Sequence, residues 1–297
     1  MQPHKVAVLI VAWNQIETTL ECLKTVYSQS FEDYEVVLVD NGSDEGFQEE
    51  IKKGFPQITC LSSEKNLGFA GGNNIGLKYA IAQGFEYILL LNNDTLLDVN
   101  CLKNLVAAKE KLSLSVGGVT AKIYYAQEKT RIWSVGSNFR PWLFEVADNG
   151  KDSIDNGQWS VARQVDFAPF CGILFDVSVF EHIGLLDDRY FLYYEDMDYC
   201  QRLKAHGKQL YYVPNAIIWH AVSRTSGGNQ SPKALYWLAR SSGRYFRTHC
   251  KGWRLLIIIP YRLLSVSRKT IKFLARKEKE KLSHYWSGLY QGWLGEI

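Results

Sequence analysis

In the first hundred residues, apolar positions gather into short continuous runs, separated by segments in which they recur at helical spacing. The runs are Val6 to Val11, Glu35 to Asp40 and Tyr87 to Asn92. Between the first two, Leu20, Leu23, Val26 and Tyr27 mark a helix over residues 18–28, and a second helical pattern over 74–83 precedes the third run. Strands that are apolar on both faces and joined through helices predict a parallel α/β sheet with helices on both sides.

Residues 102–112 are again helical in pattern, 116–125 and 132–135 read as strands, and 149–157 is a polar loop rich in Gly, Asp and Asn. The apolar segment 165–175 contains Pro169 and Gly172. A helix over 196–206 follows, then a strand over 208–213 that is expected to end at Pro214. The loop Ser226–Pro232 separates this part from a basic, aromatic segment with helical periodicity. The expected division is a domain over 1–228, with halves of about 1–98 and 99–228, and a basic amphipathic helical region over 229–297.

Composition sharpens that division. A chain of 297 residues suits one large or two intimate domains, and 46% hydrophobic with 22% charged residues rules out extended disorder and fibrous architectures. The net charge of +3 is a sum of opposites: residues 240–297 hold 13 Lys and Arg against three acids, and residues 1–239 hold 21 against 28. No apolar run reaches the roughly 20 residues of a spanning helix, and the N-terminus does not read as a cleaved signal peptide. A cytosolic location is therefore expected. The six cysteines form no CxxC pair and read as reduced thiols.

In an open α/β sheet, ligands sit beyond the carboxyl ends of the strands. Those ends are Ala12-Trp13-Asn14, Asp40-Asn41-Gly42-Ser43 and Asn92-Asn93-Asp94-Thr95. Asp40 can accept a hydrogen bond from a base or ribose, or it can cap the next turn. Asn66 to Gly76 is a Gly-rich loop running into a helix, suited to a diphosphate or to tight packing; it is neither a Walker loop nor a GxGxxG fingerprint. Asp94 is one carboxylate at the end of a very apolar strand, a placement for a hard cation bridging phosphate oxygens or for a helix cap. Glu195, Asp196 and Asp198 crowd one helix start, where one can act as general base or all three can answer the helix dipole. His220, after an apolar run, is either structural or a partner of Asp94 in a Mn2+-type site.

In this order, and together with Phe170 to Leu174, Phe191 to Asp198 and Val213 to Ala216, these segments resemble the family 2 glycosyltransferases of GT-A fold, particularly the rhamnosyltransferase-like branch. The resemblance spans about residues 5–225. It implies that Asp40 contacts the nucleotide base and that Gly68 and Asn73 lie near the nucleoside, with Ala12, Asn14, Asn93 and Gly172 also in the donor site. It makes Asp94 the last acid of a DXD motif whose first position is Asn92 here, with His220 completing a Mn2+ or Mg2+ site. Asp196 matches the catalytic base with Glu195 beside it, Arg240 matches an arginine facing the diphosphate, and residues 223–228 match a loop that closes over it.

The implied reaction is an inverting, metal-dependent transfer of a sugar, with rhamnose from dTDP-rhamnose as the leading donor, to a hydroxyl of a glycan or lipid-linked glycan in polysaccharide synthesis. The basic tail suits a peripheral position on an anionic membrane at the inner face of the cell, or a homodimer contact. Nucleic acid is not an expected partner, because acids dominate the rest of the chain and no nucleic-acid module is present. The alternatives are a non-catalytic nucleotide-sugar or polysaccharide-binding protein and a sugar nucleotidyltransferase.

Overall fold

Each continuous apolar run becomes a strand whose alternate residues feed two separate cores. On β1 (Val6–Ala12), Val6, Val8 and Ile10 pack with Cys22, Leu23 and Val26 of α1 (Ile16–Val26). Ala7 and Leu9 point to the other face. The computed structural model describes residues 5–140, 142–221 and 231–295. The chain continues through β2 (Tyr34–Asp40), α2 (Phe47–Gly54), β3 (Thr59–Ser62), α3 (Gly68–Gln83), β4 (Tyr87–Asn92), β5 (Thr95–Leu97) and α4 (Cys101–Lys111). Next come β6 (Val116–Tyr125), β7 (Ile132–Ser134), the hairpin of β8 (Ser137–Phe139) with β9 (Val146–Asp148), β10 (Arg163–Val165) and β11 (Gly172–Asp176). Helices α5 (Val177–Ile183) and α6 (Glu195–Ala205) precede β12 (Gln209–His220), and α7 (Pro232–His249), α8 (Leu255–Ala275) and α9 (Lys279–Leu294) follow it.

The main sheet runs β10-β12-β6-β11-β4-β1-β2-β3, with β5 on β12 and β7 on β6. The four strands β4, β1, β2 and β3 are parallel, while β11 lies antiparallel between β4 and β6. The expected α/β sheet with helices on both faces is the observed architecture, with antiparallel strands added in its second half.

Two elements exceed their sequence-based bounds. Helix α3 begins at Gly68, six residues before the apolar periodicity starts, so much of the Gly-rich loop is helix. Tertiary packing overrides poor helix propensity there. A Cβ on Gly72 would stand 2.7 Å from Val11 Cγ1, and one on Gly76 would collide with the Leu9 side chain. Small residues let α3 lie close against β1.

Strand β12 does not stop at Pro214 but continues to His220, with a register shift between Val213 and Ile217 where it pairs with β6. A proline is tolerated at such an irregularity because the ladder is already interrupted. This extension carries His220 into the sheet.

The C-terminal helices are anchored to the α/β body through α7. Ser241 donates to the Leu192 carbonyl at 2.8 Å, His249 Nε2 meets Asp198 Oδ1 at 2.8 Å, and the Tyr245 hydroxyl donates to the Phe144 carbonyl at 3.0 Å. Helix α9 packs on α7, with Gly288 against the Tyr236 carbonyl and Gly292 against that of Arg240. Among the described residues, no helix is long and apolar enough to cross a membrane.

Replacing Gly76 with Val should force α3 away from β1. The expected cost is about 1–3 kcal/mol, as for other overpacked cores, measured as a lowered midpoint in urea unfolding; an unchanged midpoint would contradict this packing.

Candidate active site

The polar residues of the parallel half collect where its strands end. Register places Ala12 beside Asp40, and Asp40 beside Ser62. The Asp40 carboxylate is buried and accepts from the Ser43 amide and the Gln48 side chain, both at 2.9 Å. Asn14, in left-handed backbone conformation, donates its amide to Ser43 Oγ at 2.8 Å, and its side chain accepts from the Asp44 amide at 2.9 Å. The ends of β1 and β2 are thereby stitched into one rigid shelf. Trp13 stands out from it, 36% exposed, with the Lys233 ammonium 5.6 Å from its ring centroid.

Asn41 is a residue that the sequence reading did not single out. Its side chain donates to the Gly68 carbonyl at 2.9 Å and accepts from the Leu67 amide at 3.0 Å, while its backbone amide donates to the Ala12 carbonyl at 2.8 Å. It ties both strand ends to the start of α3. Only its place in Asp40-Asn-Gly-Ser hinted at a role, since its partners lie 26 and 27 residues away.

Gly68 has φ +75°, and a Cβ there would overlap the Phe191 carbonyl. That carbonyl accepts from the Phe69 amide at 2.7 Å, and the Gly68 amide donates to Asn66 Oδ1 at 2.8 Å. These first-turn donors of α3 are therefore engaged within the chain, and they hold the segment leading to Glu195. Asn74 strengthens the same join by exchanging hydrogen bonds with both backbone groups of Leu186, at 2.9 and 3.0 Å. Asn73 bonds the Phe69 carbonyl within the helix at 2.9 Å.

Asp94 and His220 meet through strand pairing. His220 of β12 lies opposite Thr95 of β5, the Ala221 amide donates to the Asp94 carbonyl at 2.9 Å, and His220 Nε2 is 3.1 Å from Asp94 Oδ1. Both side chains are buried, and Trp133 meets the imidazole edge-on at 4.6 Å. The contact lies within ion-pair distance without being aligned as a hydrogen bond, so Asp94 Oδ1 is a buried oxygen with no hydrogen-bond partner, as is His220 Nδ1 among nitrogens. Burial disfavours the His220 cation, but Cys171 and Asp94 outweigh it and push the imidazole up to about 10. A carboxylate oxygen and an imidazole without aligned hydrogen bonds fit a divalent cation of Mn2+ type that displaces the imidazole proton favoured by Cys171 and Asp94. Among the described residues, no cluster offers three or more protein ligands, so water and substrate oxygens would have to fill the remaining positions.

The acidic cluster divides by environment. Tyr193 and Tyr194 both have positive φ, 67° and 69°, a strained turn that sets the first residues of α6. Asp198 is occupied, with Arg202 Nε and His249 Nε2 each at 2.8 Å. Glu195 is buried with Oε2 unpartnered; burial, then the charges of Asp196 and Asp198, raise its carboxyl well above the ordinary range. Asp196 is half-buried, accepts from the Met197 amide at 2.8 Å, and is pushed up to about 6 by burial. That value suits a base operating near neutral pH.

Three further residues are placed by packing. Asn93 donates to Thr19 Oγ1 at 3.0 Å, toward α1. Gly172 leaves room for Ile218, whose Cδ1 would be 2.6 Å from an added Cβ. Arg240 lies 5.2 Å from the Trp237 ring centroid and 3.5 Å from the Arg189 carbonyl, while Trp237 stacks on Phe191 at 4.3 Å. The loop 223–228 lies outside the described residues.

The family model of Glycosyl transferase family 2 matches residues 7–184. The chain is 22% identical over 218 residues to dTDP-rhamnosyl transferase RfbF of Shigella flexneri, covering 73% of this chain and 69% of that protein. It is 27% identical over 226 residues to rhamnosyltransferase WbbL of Escherichia coli (strain K12), covering 72% and 82%. Against the low-salt glycan biosynthesis hexosyltransferase Agl10 of Haloferax volcanii it is 26% identical over 193 residues, spanning 62% of this chain and 58% of the relative. Among solved structures, mannosyltransferase PcManGT from Pyrobaculum calidifontis, in complex with GDP-Man and Mn2+, aligns with a TM-score of 0.61 at 14% identity, covering 99% and 88% of the two chains. GalNAc-T7 with UDP, GalNAc and Mn2+ aligns at 0.62 and 17% identity, covering 82% of this chain and 48% of that one. With the match extending over more than half its length, and with the fold and strand-end site just described, this chain belongs to glycosyltransferase family 2.

Proposed function

We propose that this protein is an inverting, metal-dependent glycosyltransferase that moves rhamnose from dTDP-rhamnose to a hydroxyl of a glycan or lipid-linked glycan in cell-surface polysaccharide synthesis. The observation that carries the reaction type is the division of labour among its buried acids. Asp94 turns an oxygen with no aligned hydrogen bond toward His220, Asp198 is engaged by Arg202 and His249, and Asp196 is half-buried and poised near neutrality. The choice of donor rests on the names of the relatives RfbF and WbbL.

In this reading the shelf of Ala12, Asn14, Asp40 and Asn41 seats the nucleoside, and exposed Trp13 offers an aromatic face to a base. Asp94 and His220 would hold the divalent cation, which supplies neutralising charge for a leaving diphosphate. Asp196 takes the proton from the acceptor hydroxyl as its oxygen attacks the anomeric carbon opposite the leaving group, which inverts the configuration. Burial and the charge of Asp196 both favour the neutral form of Glu195, which limits a second negative charge beside the base. Arg240, on α7, lies beside the segment that carries these acids. The body over 1–228 performs the transfer; the region 229–297, fastened through α7, holds it peripherally at the cytoplasmic face of the membrane, where a lipid-linked acceptor is presented.

Asp196→Asn should lower kcat by about 10²–10⁴ while calorimetric donor affinity is kept; a variant with near-normal nucleoside diphosphate release removes the base assignment. Wild-type kcat should rise with pH through about 6 as Asp196 loses its proton, a limb read from a pH–rate profile. Because the folded state holds this proton more tightly than the unfolded chain, stability falls as pH climbs from the ordinary carboxylate range through 6, so Asp196→Asn should melt higher than wild type at pH 8. Asp94→Ala should abolish the Mn2+-dependent part of donor binding, and an unchanged titration would contradict that ligand assignment.

A further inference from the structure

Helix α8 has a face that the body does not cover. Leu256, Leu263, Leu264, Ile271 and Leu274 are each between 51% and 79% exposed, although single-residue exposure of this size is usually scattered rather than gathered on one helix. On the same helix, Tyr261, Leu264, Ser265, Arg268 and Lys272 recur at intervals of three or four residues and therefore share a side. With Lys269 they line a cleft of about 320 Å³. Three cations, two hydroxyls and one leucine thus face a single space.

Those cations form no close ion pair among the described residues, Lys272 acting on Glu278 only from beyond contact distance. Among the described residues, the ion pairs of α8 and α9 are Arg262 with Glu145 and Lys281 with Glu278; Arg268, Lys269 and Lys272 have none. The Lys269 ammonium sits 4.9 Å from the Tyr285 ring centroid and is half-buried. Burial and the charges of Arg262 and Lys272 lower its pKa, the condition of a site short of negative charge. An anion placed in the cleft would relieve that repulsion and take a hydrogen bond from the Ser265 hydroxyl, the Tyr261 hydroxyl being donated to Glu145 Oε2.

We propose that this cleft binds the phosphate of an anionic membrane phospholipid, while the exposed leucines and isoleucine of α8 enter the boundary of the acyl layer. The inference rests on the peripheral membrane position proposed above and adds to it the site and the headgroup chemistry. Cations beside apolar side chains on a helix too short of apolar residues to span are the composition of an interfacial helix. A second copy of the chain suits this face poorly, because a two-fold contact centred here would set Arg268, Lys269 and Lys272 against their own counterparts. Nucleic acid would meet the charges and leave the leucines in water.

The full-length protein should float with vesicles of phosphatidylcholine mixed with phosphatidylglycerol, and far less with phosphatidylcholine alone. The double variant R268Q/K272Q, both positions exposed, should bind the anionic vesicles about 30-fold more weakly with an unchanged melting temperature. Leu264→Asp should weaken binding further at high salt, where the apolar contribution dominates. Transfer to a soluble acceptor should be unchanged in R268Q/K272Q, whereas Asp94→Ala should lose transfer and keep vesicle binding, so failure of the lipid site and failure of the transferase reading are separable. Equal binding of R268Q/K272Q and wild type, equal partition into neutral vesicles, or a melting shift with inorganic phosphate without any vesicle binding would each overturn the lipid site. Self-association lost in Leu264→Asp, seen by sedimentation velocity without vesicle binding, would overturn it in favour of a dimer face.

Discussion

A sheet covered on both faces by apolar side chains can expose chemistry only where its strands stop. Here β1, β2 and β4 are buried along most of their length, and the polar side chains Asn14, Asp40 and Asn92 to Asp94 come at the carboxyl edge. The same edge receives the beginning of α3, and the antiparallel β11 starts beside it, with Gly172 opposite Leu91. Every candidate role discussed above follows from this constraint. Burial stabilises the fold and concentrates polar groups along one line, and the loops from that line determine which groups meet.

Two joins across long stretches of chain then make the edge specific. Strand β12, by passing through Pro214, brings residue 220 opposite residue 95, so a histidine and an aspartate come within 3.1 Å. Gly68 accepts the backbone of residue 191 where no Cβ would fit, and so fixes the strained Tyr193-Tyr194 turn and the acids after it. The first join sets a buried carboxylate against an imidazole, and the second positions a carboxyl of raised pKa. Low local dielectric is common to both: Asp94 Oδ1 is buried without an aligned hydrogen bond, and burial lifts Asp196 and Glu195.

The C-terminal helices solve a different problem. Helix α7 belongs to the body by its contacts, including the His249–Asp198 pair that engages one acid of the α6 cluster. Helix α8 turns leucines outward, with Arg268 and Lys272 exposed beside them and Lys269 over the Tyr285 ring of α9. The charge asymmetry of the chain is thus divided in space: an acidic body, in which several acids have assigned partners, and a cationic helix facing outward.

The sequence by itself marked the longer strands, because continuous apolar runs bounded by polar turns have few alternatives, and it picked out the candidate acids, because carboxylates beside apolar strands are rare. The short strands β3, β5, β8, β9 and β10 left no such run, and the contacts that fasten α7 to the body are not written in the charge pattern of the basic segment. The start of α3 was not legible, since its glycines argue locally against a helix and only the close approach of Leu9 and Val11 makes them necessary. Nor was the passage of β12 beyond Pro214, because the register shift that admits a proline exists only once β6 is alongside. The role of Asn41, the hydrogen bond between Asp198 and a residue 51 positions away, and the meeting of Asp94 with His220 likewise depend on contacts between distant segments. Local periodicity is written in neighbouring residues, whereas a site is a set of distances between residues that only the folded chain brings together.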